Sequence, residues 1–241
     1  MPWKWYDSHI MRIEDAGPNI KCFWLEVHDV ENFDFLPGQF VTMDLPIHEK
    51  RLKRWRSYSI ANGPLGGNVL EFCIVKLDKG AASTYLFEEA RVGTAVRFKG
   101  PDGGFVLPDP IDHDMIMVCT GTGVAPFRSM LQAIQHGNIP HKNLHLIFGT
   151  RNEEGILYRK EFEQLALEWP AFEYSLALSR EPEWAGTKGH VHQIYEGAYS
   201  EVKPDRHFYL CGWSQMIDEA VAKIMLGMGY DKSQIHYELY G

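Results

Sequence analysis

MIMVCTGTGVAPFRSMLQAIQ, residues 115–135, changes its periodicity twice. MIMVC is a short continuous apolar run of the kind a fully buried strand uses. TGTG turns the chain with two glycines. VAPFRSMLQAIQ then repeats apolar residues at helical spacing, with Pro126 in the first turn, where a missing N–H is tolerated. A strand, a glycine loop and a helix in that order leave bare backbone amides and a positive helix end at one place, where a phosphate can sit.

Downstream the alternation continues through LHLIF (144–148), LYRKEFEQLALEW (157–169), EYSLAL (173–178), VHQIYEG (191–197), HFYLC (207–211), SQMIDEAVAKIMLGMG (214–229) and QIHYELY (234–240). Continuous apolar strands with helices between them predict an α/β, Rossmann-like domain around a parallel sheet covered on both faces. Upstream of residue 110 the pattern is different. Short β-type segments at 8–14, 21–28, 39–45, 55–61, 69–76 and 94–99 are separated by turn residues such as Gly17-Pro18, Pro37-Gly38 and Gly66-Gly67. With one helix candidate at 82–90, these six strands predict a small antiparallel β-barrel. The expected division is residues 1–110 and 111–241, joined near PDPIDHD.

Composition narrows the function. The chain has 241 residues, 45% hydrophobic and 23% charged, which suits two ordinary globular domains with packed cores. A formal net charge of −8 disfavours nonspecific binding to nucleic acid or to an anionic membrane surface. No apolar run approaches the roughly 18 residues that span a bilayer, and MPWKWYDSH lacks a hydrophobic signal core, so a cytoplasmic location is expected. Cys22, Cys73, Cys119 and Cys211 show no spacing suited to zinc or an iron–sulfur cluster and are expected as buried thiols. His190-x-His192 lacks a third ligand nearby and is read as capping or solvating a loop. Glu153-Glu154 and Glu161-x-Glu163 are read as solvated parts of a loop and a helix.

Gly121-x-Gly123-x-x-Pro126 is similar to the dinucleotide fingerprint, with proline where the third glycine usually stands. Five more motifs accompany it: RSYSI (56–60), KGAAS (79–83), LSRE (178–181), FYLCG (208–212) and YELY (237–240). As an ordered set, over nearly the whole chain, they resemble the ferredoxin/flavodoxin–NADP reductases, in which an FAD-binding barrel precedes a nicotinamide-nucleotide domain. The resemblance implies a flavoenzyme that takes hydride from NADPH onto FAD and passes electrons singly to ferredoxin or flavodoxin.

It also implies roles. Arg56 meets the FAD pyrophosphate, for which a guanidinium fork is suited. Tyr58 packs on one flavin face, Ser59 lies near the hydride-accepting nitrogen, and Val75 and Lys76 border the cofactor. Gly80, Ala81, Ala82 and Ser83 form a second phosphate cradle. Thr120, Gly121, Thr122 and Gly123 carry the nucleotide where flavin and nicotinamide meet, and Cys211 with Gly212 borders the transfer site. Glu238 and Tyr240 match the C-terminal glutamate and the aromatic that covers the other flavin face, although Gly241 follows the tyrosine here.

Arg151, Ser179, Arg180 and Lys188 offer cations and a hydroxyl for a ribose 2′-phosphate, and no Asp occupies the Ser-Arg position, so NADP is favoured over NAD. WAGTKGHV (184–191) is also similar to NADH-using reductase components of oxygenases. That reading, and a flavin electron-relay subunit, are the alternatives. Lys50, Arg51, Lys53 and Arg54 are too many cations for one pyrophosphate. They form either a docking patch for an acidic one-electron carrier or a solvated loop.

Overall fold

In this computed structural model the backbone of residues 4–240 and the side chains of residues 4–239 are described. The N-terminal part holds β1 (Trp5–Gly17), β2 (Ile20–Val27), β3 (Phe40–Asp44), β4 (Trp55–Ser59), β5 (Val69–Val75) and β6 (Ala95–Asp102). They form one sheet in the order β4-β3-β6-β1-β2-β5, every pair antiparallel. The Ala61 amide donates to the Glu71 carbonyl at 2.8 Å, so the chain leaving β4, at one edge, meets β5, at the other. That contact draws the sheet toward the expected barrel.

Alternation makes this core. In β2, Cys22, Leu25 and Val27 are buried while Lys21, Trp24 and Glu26 are not, and Phe23, Phe72 and Phe98 join Val41 and Met43 inside. The predicted helix begins at Ala81 as α1 (Ala81–Thr84) and loosens at once into a π-turn over Tyr85–Glu89. There the Ala90 amide reaches back to the Tyr85 carbonyl. The wider turn buries Leu86 and lets Phe87 pack on Phe23, their rings 6.1 Å apart.

The C-terminal part holds β7 (Asp114–Thr120), a tight 3-10 turn at Gly121–Gly123, α2 (Val124–Gly137), β8 (Leu144–Thr150), α3 (Arg159–Glu168), β9 (Phe172–Leu178), β10 (Thr187–Lys188), α4 (His192–Ala198), β11 (Arg206–Trp213), α5 (Ser214–Ala222) and β12 (Ile235–Tyr240). The sheet order is β10-β9-β8-β7-β11-β12, all parallel. From β7 the chain winds out through β8 and β9, then returns to build β11 and β12 on the other side. That reversal makes the carboxyl ends of β7 and β11 the switch point, where open α/β sheets bind ligands. The run at 214–229 is helical to Ala222 and then widens into a π-turn over Lys223–Gly227.

The chain divides into two compact units. One comprises the chain to Leu107 with Ala125–Asn138, and the other Pro108–Val124 with Ile139 onward. The body of α2 therefore packs with the antiparallel sheet, although its first residue follows the glycine turn of the parallel one.

Candidate functional site

In the antiparallel unit, β4 presents Arg56, Tyr58 and Ser59 along an edge strand. The Arg56 guanidinium is exposed and turned onto its own loop, its Nη1 donating to the carbonyls of Trp55 at 2.7 Å and Lys53 at 3.1 Å. Among the described residues no carboxylate pairs with it, so its remaining donors are open to an anion. Burial pushes the Tyr58 phenol up to about 12, with Arg56 beside it opposing the rise. The ring therefore stays neutral and apolar over the working range, as a stacking surface requires. Ser59 is buried at the strand end.

Val75 ends β5, and the Lys76 amide is bonded to the Asn19 carbonyl at 2.7 Å. The Lys76 ammonium pairs with Glu88 at 2.7 Å. At residues 80–83 the Ser83 hydroxyl holds the turn, accepting from the Leu77 amide at 3.0 Å and donating to the Gly80 carbonyl at 3.0 Å. A Cβ on Gly80 would lie 2.7 Å from that hydroxyl, so glycine is required for this bend. No side chain caps the helix start at Gly80. The hydroxyl of Ser83 thus shapes the expected cradle, and backbone amides are its donors.

In the parallel unit the glycine turn sits at the switch point. Gly121 takes φ +53 with open space around the position of a Cβ, while a Cβ on Gly123 would lie 2.4 Å from the Cys211 carbonyl oxygen. A Cβ on Gly212 would lie 2.6 Å from Thr120 Oγ1. That hydroxyl is buried with no hydrogen-bond partner, a condition disfavoured unless something else satisfies it. No side chain caps the start of the turn at Thr120. Cys211 is fully buried, in register between Cys119 and Glu238. Burial, with Cys211 beside it, pushes the Cys119 thiol well above its ordinary value. Glu238 is half-buried on β12, and Tyr240 is in register with Trp213; the tyrosine side chain lies outside the described residues.

Arg151 follows β8 and Ser179-Arg180 follows β9. The Arg180 amide donates to the Arg151 carbonyl at 2.7 Å, and the Ser179 amide to the Thr150 carbonyl at 3.0 Å. Lys188 lies on β10, in register with Leu178. The four residues are thus gathered at the carboxyl edge of the sheet and are exposed. Among the described residues, none of the three cations is matched by a carboxylate.

These features fit the two expected groups. Unmatched guanidiniums and uncapped amides suit phosphates, the orphaned Thr120 hydroxyl lies beside Gly212, and the close backbone approach at Gly123 and Gly212 leaves amides as the recognising surface.

The comparisons with known proteins agree. The Oxidoreductase FAD-binding domain family matches residues 7–107 and the Oxidoreductase NAD-binding domain family residues 117–222. Ferredoxin--NADP reductase B of Sorangium cellulosum is 33% identical over 243 residues, covering 98% of this chain and 97% of that protein. The chain belongs to the ferredoxin–NADP reductase family. It is an FAD- and NAD(P)-binding oxidoreductase of the electron-transfer type. Phenol hydroxylase P5 protein of Acinetobacter pittii is 29% identical over 239 residues, 98% of this chain and 65% of that protein. A ferredoxin NADP+ reductase from Neisseria gonorrhoeae, solved with bound FAD and NADP, shares the fold with TM-score 0.81 and 23% identity over 98% of each chain.

One buried pair was not assigned a role from sequence, and the basic loop proves less uniform than its sequence suggests. Arg128 on α2 pairs with Glu71 on β5 at 2.9 Å, both largely buried. The sequence signal was a single acid inside VLEFCIV and a single base inside VAPFRSMLQAI. In the basic loop, Arg54 Nε meets Asp44 at 2.8 Å, and Arg51 lies over the rings of Trp5 and Trp55 at 5.5 and 5.3 Å. Lys50, Arg51 and Lys53 are exposed with no carboxylate partner among the described residues, and of these Arg51 is the one that lies over rings. Elsewhere, Glu153 and Glu163 are held by Arg159 at 2.9 and 2.7 Å. The His192 ring is buried between Tyr195 and Glu219.

Proposed function

We propose that the protein is an NADPH-dependent ferredoxin or flavodoxin reductase, with residues 1–110 serving FAD and 111–241 serving the nicotinamide nucleotide. When bound, FAD supplies the redox chemistry, accepting a hydride from NADPH and releasing two electrons one at a time with loss of a proton. The chain's own groups bind and orient. Arg56 and the amides after Gly80 neutralise the FAD pyrophosphate, Tyr58 shields one ring face, and Ser59 offers a hydroxyl to the reacting edge. The amides of residues 121–123 take the nucleotide pyrophosphate, and the small residues Cys211 and Gly212 leave room for the pyridine ring. Glu238 and Tyr240 close the site.

The observation that carries the NADP reading is the set Arg151, Arg180 and Lys188, gathered at the carboxyl strand ends with no carboxylate partner among the described residues. An NAD site would often place an acid there for the 2′-hydroxyl. Likeness to an oxygenase component supports a second reading, an NADH-dependent reductase with a dedicated partner. For the carrier we propose docking at the basic loop through Lys50 and Lys53, since acidic carriers are steered by positive charge. A location in the cytoplasm fits this partner, and among the described residues no helix is long and apolar enough to cross a membrane.

The test is anaerobic. The purified protein is expected to be yellow and to bleach within seconds on NADPH, then to reduce ferredoxin or flavodoxin. Faster bleaching by NADH would transfer the assignment to the oxygenase type, and a colourless protein that takes up no FAD would end it. Lys50→Glu with Lys53→Glu is expected to flatten the salt dependence of carrier reduction; an unchanged slope would remove the docking patch.

A further inference from the structure

Helix α2 begins one residue after the glycine turn, yet its body is fastened to the antiparallel unit. Arg128 Nη1 donates to Glu71 Oε2 at 2.9 Å and to the Ala61 carbonyl at 3.0 Å. The Ala61 amide in turn donates to the Glu71 carbonyl at 2.8 Å, and the Glu71 amide to Asn62 Oδ1 at 2.8 Å. One helical turn further on, Gln132 Oε1 accepts from the Gly63 amide at 2.8 Å. Phe127 packs edge-on against Phe105 at 5.7 Å. The carbonyl that Arg128 grips belongs to the segment leaving RSYS, two residues beyond Ser59.

We infer that Arg128 and Glu71 are positioning residues that fix the register of α2 on the antiparallel sheet and, through the continuous chain, order the glycine turn that leads into the helix. This rests on the nucleotide-binding role proposed above for residues 121–123. A buried ion pair is weak evidence for stability, because well-packed apolar replacements of similar volume often do as well. Its geometric content is what apolar residues cannot supply. One guanidinium nitrogen, Nη1, fixes a carboxylate and a backbone carbonyl at once, and the planar group sets its direction, so the helix has one register on the sheet. Gln132 repeats the grip a turn later, aimed at the same loop. A turn whose amides must meet a pyrophosphate to within a fraction of an ångström depends on where its helix is held.

The experiment compares wild type with Arg128→Met/Glu71→Leu, which removes both charges and leaves no buried ion unpaired, and with Arg128→Lys, which keeps the charge without the fork. Three readouts are taken on the full chain: FAD affinity by absorbance, binding of 2′,5′-ADP and of NADP+ by calorimetry, and amide exchange of residues 120–126. The double variant is expected to hold FAD as wild type does, to bind NADP+ about tenfold more weakly, and to exchange residues 120–126 faster. Arg128→Lys is expected to fall between the two. Unchanged exchange in the double variant would overturn the inference whether or not nucleotide binds, and unchanged NADP+ affinity would overturn it too. Failure of wild type itself to bind 2′,5′-ADP or NADP+ would count against the proposed function, with the exchange arm still deciding the inference.

Discussion

Replacing Arg151 and Arg180 by alanine, singly and together, isolates the contribution of a 2′-phosphate. Both guanidiniums sit at strand ends joined by the 2.7 Å bond from the Arg180 amide to the Arg151 carbonyl. Because that bond is made by backbone, alanine leaves it in place. A hydrogen bond between a charged donor and a charged acceptor contributes about 1.5 to 3 kcal/mol. Both side chains are exposed, so solvent screening puts each near the low end, at about 1.5 kcal/mol, or about tenfold in kcat/KM. They serve one phosphate and are adjacent, so their effects do not add fully, and the double variant is expected to lose about 30-fold to 100-fold with NADPH. NADH has no 2′-phosphate and is expected to change less than about threefold. The assay is anaerobic flavin reduction at several concentrations of each nucleotide, repeated at rising salt, where the wild-type dependence on salt should shrink in the double variant. Equal losses with both nucleotides, or no loss with NADPH, would show that these cations do not read the phosphate.

The glycine turn makes a contrast. Gly123→Ala forces a Cβ to within 2.4 Å of a backbone oxygen and is expected to abolish NADP+ binding measured by calorimetry. Gly121→Ala, with open space but φ +53, is expected to lower thermal stability by about 1 kcal/mol while binding survives. Arg56→Ala is expected to weaken FAD binding by about tenfold to 100-fold, read as loss of yellow colour on gel filtration, with the fold retained by circular dichroism. His145 is buried between Tyr199 and Ser175, and burial lowers its pKa to about 4. A folded-state pKa below the unfolded one stabilises the protein above the unfolded value of 6.5 and loses that contribution as pH falls toward 4. Denaturant unfolding is expected to show up to about 3 kcal/mol lost across that window, and less in His145→Gln.

Much of the fold was legible because its signals are local. Alternation in IKCFWLEV and continuous apolarity in MIMVC each need only their neighbours, so both strands lie where expected. The helix starting at Ala81 was legible in the same way, but its π-turn was not, because Phe87 reaches Phe23, far away in sequence. The basic run shows the same limit. Four cations in a row look equivalent, and only register reveals that Asp44 of β3 lies opposite Trp55, close enough to take Arg54. Lys99 was equally opaque: a lysine at the end of the expected strand lies inside β6 and proves almost wholly buried, with its ammonium 4.3 Å from the Trp55 ring centroid. Side chains set by chain neighbours could be read, and those set by cross-sheet partners could not.

The candidate site follows the same division, and physics explains which residues carried their function in the sequence. Gly121, Gly123 and Gly212 could be read because their task is to be absent as side chains, and a missing Cβ is a property of the residue itself. Here Gly123 lies against the Cys211 and Gly212 backbone, and Gly212 against the Thr120 hydroxyl. Arg128 carries no such mark. A lone arginine on a helix is ordinarily a solvated one, and the carboxylate of Glu71, on a strand of the sheet that α2 packs against, holds it inward together with the Ala61 carbonyl. Recognition by backbone is therefore written locally, as the residue types that let backbone approach. The holding of that backbone in place is written in pairs far apart along the chain, and a single sequence shows each member without its partner.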